Sequence, residues 1–294
     1  MRILMTGATS GLGLVAAQQL VAMPGVELIV GARGALPPSI AGQAEAIRLD
    51  LADLDSVRAF ADALGSAPID AFIGNAGTQV VRPATSRQGY ELTFATNHLA
   101  HYLLVRRLFP LIAPNGRIVL TSSGTHDPEQ KTGMPAPNHA NADWLAHPDR
   151  DPHHDASPGR AGRRAYSTSK LCNLMTIREL AVRAADRPDM TMLAYDPGFC
   201  PGTGLARDYG GVGSWIFRHI LPLVVRGPGI SDPVTSGKVL AALAVDPVYA
   251  GGRGLYWSMH NRVPMVREPS VIARDAAACA ALWDASAAMV GLQP

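Results

Sequence analysis

Two side chains in this sequence are suited to manage a single proton. Tyr166 and Lys170 stand four residues apart in the helical stretch Ala165-Tyr166-Ser167-Thr168-Ser169-Lys170, a spacing that brings both to one face of a helix. A free tyrosine ionises near pH ~10, too high for efficient proton transfer at neutrality, and an adjacent ammonium lowers that value by favouring the phenolate. Such a pair is fitted to give a proton to an oxygen, or take one from it, as a hydride reaches or leaves the neighbouring carbon. A Tyr and a Lys at this spacing are common on ordinary helices, so the weight of the argument rests on their company.

That company comes from three other segments. The run Leu120-Thr121-Ser122-Ser123-Gly124 ends an apolar stretch in small hydroxyls. Asn75-Ala76-Gly77 follows another apolar run, and Asn97 lies within the helical pattern Thr96-Asn97-His98-Leu99. If the apolar runs are parallel strands, these groups share the carboxyl edge of one sheet, where ligands of open α/β folds bind.

The elements needed to hold them are legible. Short apolar runs alternate with longer helical patterns, the mark of βαβ units. Expected strands are Arg2 to Met5, Glu27 to Gly31, Ile47 to Leu49, Ala71 to Ile73, Arg117 to Thr121, Thr191 to Tyr195 and Gly254 to Trp257. Helical stretches near Leu14 to Ala22, Leu54 to Leu64, Tyr90 to Ile112, Arg164 to Ala184 and Asp232 to Val245 are long enough to serve as crossovers. The pattern predicts an α/β fold: a doubly wound, Rossmann-type parallel sheet of about seven strands with helices on both faces. One domain spans 1–294, with a long insert loop at 125–163 that carries a short helix near Ala142 to Ala146, and a substrate flap at 202–230. Loops of this length inside a compact domain are usually functional.

The first strand runs into Thr6-Gly7-Ala8-Thr9-Ser10-Gly11-Leu12-Gly13, after which a helix begins. Residues without a Cβ let the backbone approach a pyrophosphate, whose charge the free N–H groups and the positive end of the helix then stabilise. Where an NAD-specific site would carry an acid for the ribose 2′-hydroxyl, the second strand ends in Gly31-Ala32-Arg33-Gly34. A guanidinium pairs well with a 2′-phosphate, so NADPH (NADP) is expected over NADH. Asp50, with Leu51 beside it, follows the third strand where a carboxylate can meet the adenine amino group.

Composition excludes several other functions. Across 294 residues, 26 basic and 24 acidic side chains leave a net charge of +2 and no basic stripe, which argues against a nucleic-acid partner. The amino terminus MRILMTGATSG resembles neither a signal nor a transit peptide, and three scattered cysteines make no disulfide framework, so a cytoplasmic protein is expected. The apolar run Trp215 to Val225 is broken by Arg218, His219 and Pro222 and is too short to span a bilayer. It is read as a substrate lid, with peripheral membrane contact as the alternative. The histidines around the long loop, His126, His139, His147, His153 and His154, lack a ligand pair at fixed spacing, and no metal is expected. Cys172 is expected to pack as a small hydrophobe.

The glycine turn, Asn75-Ala76-Gly77, the serine strand end, Tyr166-x-x-x-Lys170 and Pro197-Gly198 together resemble the short-chain dehydrogenase/reductase family from residue 1 to about residue 205. The resemblance implies that Tyr166 is the general acid/base and that Lys170 also holds the nicotinamide ribose. It further implies that Ser123 hydrogen-bonds the substrate oxygen, with Ser122 as the fallback, and that Asn97 serves a water-linked proton relay. The implied cofactor contacts are Gly7, Thr9, Ser10, Gly11, Leu12, Gly13, Arg33, Asp50, Leu51, Asn75, Ala76, Gly77, Tyr166, Lys170, Pro197 and Gly198.

Within the family, Thr96 to Tyr102, Ser169 to Asn173, Thr203-Gly204-Leu205, Ser236-Gly237-Lys238 and Tyr256-Trp257-Ser258 resemble the branch of retinol dehydrogenases and light-dependent protochlorophyllide reductases. Gly124-Thr125-His126-Asp127-Pro128 and Ala76-Gly77-Thr78-Gln79 depart from the pigment enzymes. The expected activity is therefore NADPH-dependent hydride transfer to or from a hydrophobic carbonyl or alcohol. The alternatives are reduction of a C=C bond and, from another class, a non-catalytic NADP(H)-sensing protein. Oligomeric state is left open.

Overall fold

The computed structural model describes residues 1–200 and 227–294; the apolar run Trp215 to Val225 and most of the expected flap at 202–230 lie outside the described residues. Alternation along β1 (Arg2–Thr6) shows how the sequence builds two layers: Ile3 and Met5 enter one core and Leu4 the other. Strands β2 (Glu27–Ala32), β3 (Ala44–Arg48), β4 (Ile69–Gly74), β5 (Ile112–Thr121), β6 (Thr191–Asp196) and β7 (Arg253–His260) join β1 in one sheet. Its order is β3-β2-β1-β4-β5-β6-β7 followed by one further edge strand, with β1 to β7 parallel.

The chain leaves β1 in one direction and returns on its other side at β4, which opens a crevice at the carboxyl ends of these two strands. There Thr6 pairs with Gly74 in register. On one face, α1 (Gly11–Val21) packs against α7 (Pro233–Val245) over Val30, Ile73, Val119 and Leu193. The opposite face is covered by α2 (Leu54–Ala63), α3 (Leu92–Phe94), a π-helical turn (Ala95–Leu99), α4 (Ala100–Leu108), α6 (Pro158–Arg183) and α9 (Ala276–Met289).

An eighth strand, β8 (Val263–Val266), adds antiparallel to β7. Sequence reasoning missed it because the hairpin turn carries no glycine: Asn261 and Arg262 take φ of 50° and 64°, the left-handed pair a two-residue hairpin requires. Helix α9 was missed because Ala-rich sequence gives little apolar contrast. The insert at 125–163 is more ordered than a loop. It holds α5 (Ala142–Ala146) where expected, plus 3-10 turns at Gly124–His126, Pro128–Gln130 and Pro148–Arg150, and α6 begins at Pro158 rather than near Arg164. Proline is well tolerated in the first turn of a helix, so the Pro158-Gly159 pair starts α6 where a break was expected. Helix α8 (Val271–Arg274) follows β8. No helix among the described residues is long and apolar enough to cross a membrane.

Candidate active site

The glycine turn is fixed from several sides. The Thr6 hydroxyl accepts the backbone N–H of both Asn75 and Ala76, each at 3.1 Å. It also lies 2.9 Å from His101 Nε2, while His101 Nδ1 lies 3.0 Å from the Asn97 carbonyl. A carbonyl can only accept, so Nδ1 carries the hydrogen and Nε2 accepts from Thr6. Asn75 donates from Nδ2 to the Gly7 carbonyl at 3.1 Å and accepts at Oδ1 from Thr121 Oγ1 at 3.2 Å. Gly7 and Gly11 sit at φ 71° and 56°, and a Cβ on Gly13 would overlap the Gly7 carbonyl oxygen. The first turn of α1 holds no acidic residue. With Thr9 and Ser10 exposed and Gly11 and Leu12 half-buried, the turn presents backbone and a positive helix end to the crevice.

The residues expected around an adenosine half lie on the same edge. Arg33 is exposed just past β2, and Leu51 is buried. The half-buried Asp50 accepts from Ala52 N–H at 3.1 Å and donates its own N–H to Ser56 Oγ at 2.9 Å. Pro197 and Gly198 follow β6 at the other end of the crevice.

Helix α6 carries Tyr166 and Lys170 on a segment buried from Tyr166 to Ile177 between the sheet and α9. Lys170 Nζ lies 5.7 Å from the centre of the Tyr166 ring and donates to the Thr121 carbonyl at 3.1 Å. Asn173 Nδ2 donates to the same carbonyl, also at 3.1 Å. The two serines divide cleanly. Ser122 is buried and gives its hydroxyl hydrogen to the Lys170 carbonyl at 2.9 Å. Ser123 caps the 3-10 turn by accepting from Thr125 N–H at 3.3 Å, and its side chain is hydrogen-bonded to the Tyr166 phenol. Asn97 sits in the π turn with every side-chain group engaged: Oδ1 accepts from Thr78 N–H at 2.8 Å, and Nδ2 donates to the Thr78 carbonyl at 2.8 Å and to Ser169 Oγ at 2.9 Å.

One expectation is corrected by the electrostatics. The ammonium was expected to draw the Tyr166 phenol down, yet burial, with the charge of Asp196 adding to it, pushes it above its ordinary value, and the Ser123 bond only partly opposes this. Burial draws Lys170 down to about 8, with Asp196 working against that fall. The resting site therefore holds a protonated phenol. Cys172 is fully buried, and burial pushes its thiol up, which suits packing. Of the loop histidines, His139 Nε2 contacts Asp151 at 2.9 Å and His147 lies against the Tyr90 ring. His126 turns inward, its Nδ1 at 2.7 Å from the Ser123 carbonyl.

Sequence reasoning passed over Asp196, His101 and Thr6. The available signal for Asp196 was a charged residue closing the otherwise apolar run Thr191 to Tyr195, a position that solvent alone does not explain in a buried strand.

Residues 1–134 match the family model described as short chain dehydrogenase. Protochlorophyllide reductase A, chloroplastic, from Oryza sativa subsp. japonica is 31% identical over 99% of this chain and 80% of its own length. An uncharacterised protein from Mycobacterium paratuberculosis superposes with a TM-score of 0.70 at 31% identity, covering 99% of this chain and 94% of that one. The 3-ketoacyl-(acyl-carrier-protein) reductase from Brucella melitensis, solved with NADH, shares the fold at a TM-score of 0.59 and 20% identity, over 88% of this chain and 96% of that one.

Proposed function

The chain belongs to the short-chain dehydrogenase/reductase family of nicotinamide-dependent oxidoreductases, and from that membership we propose that it is an NADPH-dependent reductase of a hydrophobic carbonyl compound, with Tyr166 as the proton donor. The observation that carries this reading is the phenol of Tyr166, buried, protonated and hydrogen-bonded to Ser123, above an ammonium anchored on the neighbouring strand. A non-catalytic sensor has no use for a proton donor in that place.

The residues fit the cofactor. Gly7, Gly11 and Gly13, with Thr9, Ser10 and Leu12, would hold a diphosphate at the α1 terminus, where a Cβ on the third glycine has no room. Arg33 would pair with a 2′-phosphate, Asp50 and Leu51 would flank the adenine, and Asn75, Ala76, Gly77, Pro197 and Gly198 would line the path to the nicotinamide. The bound cofactor would supply the hydride. Tyr166 Oη gives its proton to the substrate oxygen, Ser123 Oγ fixes that oxygen, and Lys170 returns a proton to the phenolate and holds the ribose. Asn97, all of whose side-chain groups are engaged, keeps the Gly77-Thr78 backbone beside Lys170. We take residues 1–294 as one unit, with 125–163 and 202–230 facing the substrate.

A second reading, reduction of a C=C bond, is favoured by the name of the Oryza relative. Both are tested by following NADPH oxidation against ketones, aldehydes and quinones, and by illuminating the enzyme with NADPH and protochlorophyllide. Tyr166→Phe should lower turnover on the substrate so found by about 100-fold or more; undiminished turnover would defeat the mechanism.

A further inference from the structure

One histidine of the long insert is placed unlike its fellows. His126 is 1% exposed, whereas His139, His147, His153 and His154 are half-buried or exposed. Its ring packs edge-on against Tyr256 on β7, the centres 5.1 Å apart. Nδ1 lies 2.7 Å from the Ser123 carbonyl, which also accepts the His126 backbone N–H at 3.1 Å. On the far side of the ring, Nε2 lies 3.3 Å from the Ser270 N–H, just ahead of α8. A carbonyl only accepts and an amide N–H only donates, so both contacts are made by one form of the ring: neutral, with its hydrogen on Nδ1 and a lone pair on Nε2. Burial, which draws this histidine below its ordinary value, favours the same neutral form.

These contacts bear on Ser123 because of where it stands. Strand β5 ends at Thr121. Ser122 is still tied down, its N–H to the Tyr195 carbonyl at 2.7 Å and its hydroxyl to the Lys170 carbonyl at 2.9 Å. Ser123 is followed by Gly124, which gives the chain little stiffness of its own. The carboxyl side of Ser123 is therefore fixed from His126, whose backbone and ring both grip its carbonyl. Through Nε2 the same ring braces this turn on a residue 144 positions further along the chain.

We propose that His126 is a positioning residue for carbonyl reduction: its neutral imidazole, braced by the Ser270 N–H, holds the Ser123 backbone so that the Ser123 hydroxyl meets the substrate oxygen. The proposal rests on Ser123 fixing that oxygen. A hydroxyl displaced by a fraction of an ångström still exists but no longer points at the developing charge, so the loss falls on the chemical step.

The test separates the two ends of the ring. In His126→Asn, Nδ2 stands the same number of bonds from the backbone as Nδ1 and keeps the donor to Ser123. In His126→Gln the terminal amide matches Nε2, and the donor to Ser123 is lost. On the carbonyl substrate found by the screen above, His126→Gln should lower kcat/KM by about tenfold, and His126→Asn should recover it to within about threefold of wild type. Neither should change NADPH affinity by more than about twofold, since the ring reaches the serine turn and not the glycine turn. In a Ser123→Ala background His126→Gln should cost nothing further. Imidazole 15N NMR of the wild-type protein should show a neutral ring with its hydrogen on Nδ1. If the Gln variant fails to fold by circular dichroism, His126→Phe, which keeps the packing on Tyr256, serves in its place. Wild-type kcat/KM without the Nδ1 donor, an equal loss with and without Ser123, no recovery in His126→Asn, or a hydrogen on Nε2 each overturn the proposal. Undiminished turnover by Ser123→Ala alone would instead defeat the reading of Ser123, and that single variant keeps the two failures apart.

Discussion

Lys170 shows what the site costs the fold. Its ammonium is 3% exposed, and burial holds its folded value at about 8 against an ordinary 10.5. The gap corresponds to about 3 kcal/mol of disfavoured charge. The sign follows from proton binding. Below about pH 8 the lysine is charged in both folded and unfolded chains, so the folded protein carries the whole penalty at neutrality. As the pH rises from about 8 towards 10.5 the folded form loses its proton first and the penalty fades. Lys170→Met keeps most of the length of the side chain and removes the charge. What it gives up is one hydrogen bond to the Thr121 carbonyl, worth about 1 kcal/mol. That carbonyl is not orphaned, because Asn173 Nδ2 still donates to it. The net expectation is a cofactor-free protein stabilised by about 2 kcal/mol at neutral pH, or about 4 °C in melting temperature, with turnover lost. Thermal melts of wild type and variant at a series of pH values test this. The difference should shrink as the pH climbs through the window above. A variant that melts below wild type at neutral pH, or a difference indifferent to pH, would refute the idea that the ammonium is held at the expense of stability.

Other consequences follow from the same geometry. Gly13→Ala forces a Cβ onto the Gly7 carbonyl and should abolish measurable NADPH binding in a fluorescence titration, because the overlapping atom belongs to the backbone and cannot rotate away. Arg33→Ala should weaken NADPH by about tenfold or more, the scale of one charge-assisted contact, and leave NADH within about twofold, as measured by calorimetry. His98 and His101 are buried, with folded values drawn by burial to about 3 and about 4 from 6.5. An unfolded chain therefore binds up to two protons that the fold refuses as the pH drops below 6.5, so the unfolding free energy from urea titrations should fall with a limiting slope of about 2.7 kcal/mol per pH unit. Ser123→Ala should lower kcat/KM on a ketone by about 100-fold and leave reduction of a C=C bond within a few-fold, as read by parallel steady-state assays.

Much of this arrangement was legible because strand ends and helix spacing obey local rules. A glycine turn between β1 and α1, hydroxyls closing β5 and an i, i+4 pair on α6 are each decided within a few residues, and the parallel order then brings them to one edge. What escaped depends on contacts distant in sequence. His101 matters through Thr6, 95 positions away, and Asp196 through Tyr256 and Ser258, 60 and 62 positions on. The π turn around Asn97 escaped because one added residue per turn leaves no mark in apolar periodicity. The direction of the Tyr166 perturbation was misjudged for a related reason. An i, i+4 ammonium can be counted from sequence, but the burial that raises the phenol requires the sheet and α9 to be in place, and the charge of Asp196 that adds to it comes from the end of β6.

The choice between a carbonyl oxygen and a carbon as the proton's destination turns on hydrogens at Ser123. Its Oγ already accepts from Thr125 N–H, so the hydroxyl hydrogen is the part left to give. The phenol of Tyr166, pushed above its ordinary range, also holds a hydrogen and is bonded to the same serine. Two donors therefore stand side by side. An oxygen that gains negative charge during hydride transfer has lone pairs for both once the Ser123–Tyr166 bond gives way to it, and donors fixed beside the developing charge lower the barrier. A carbon being protonated takes one hydrogen and leaves the second donor idle. The neighbouring donors make an oxygen the better fit, and a serine that proved dispensable on every carbonyl substrate would reverse that preference in favour of the C=C reaction.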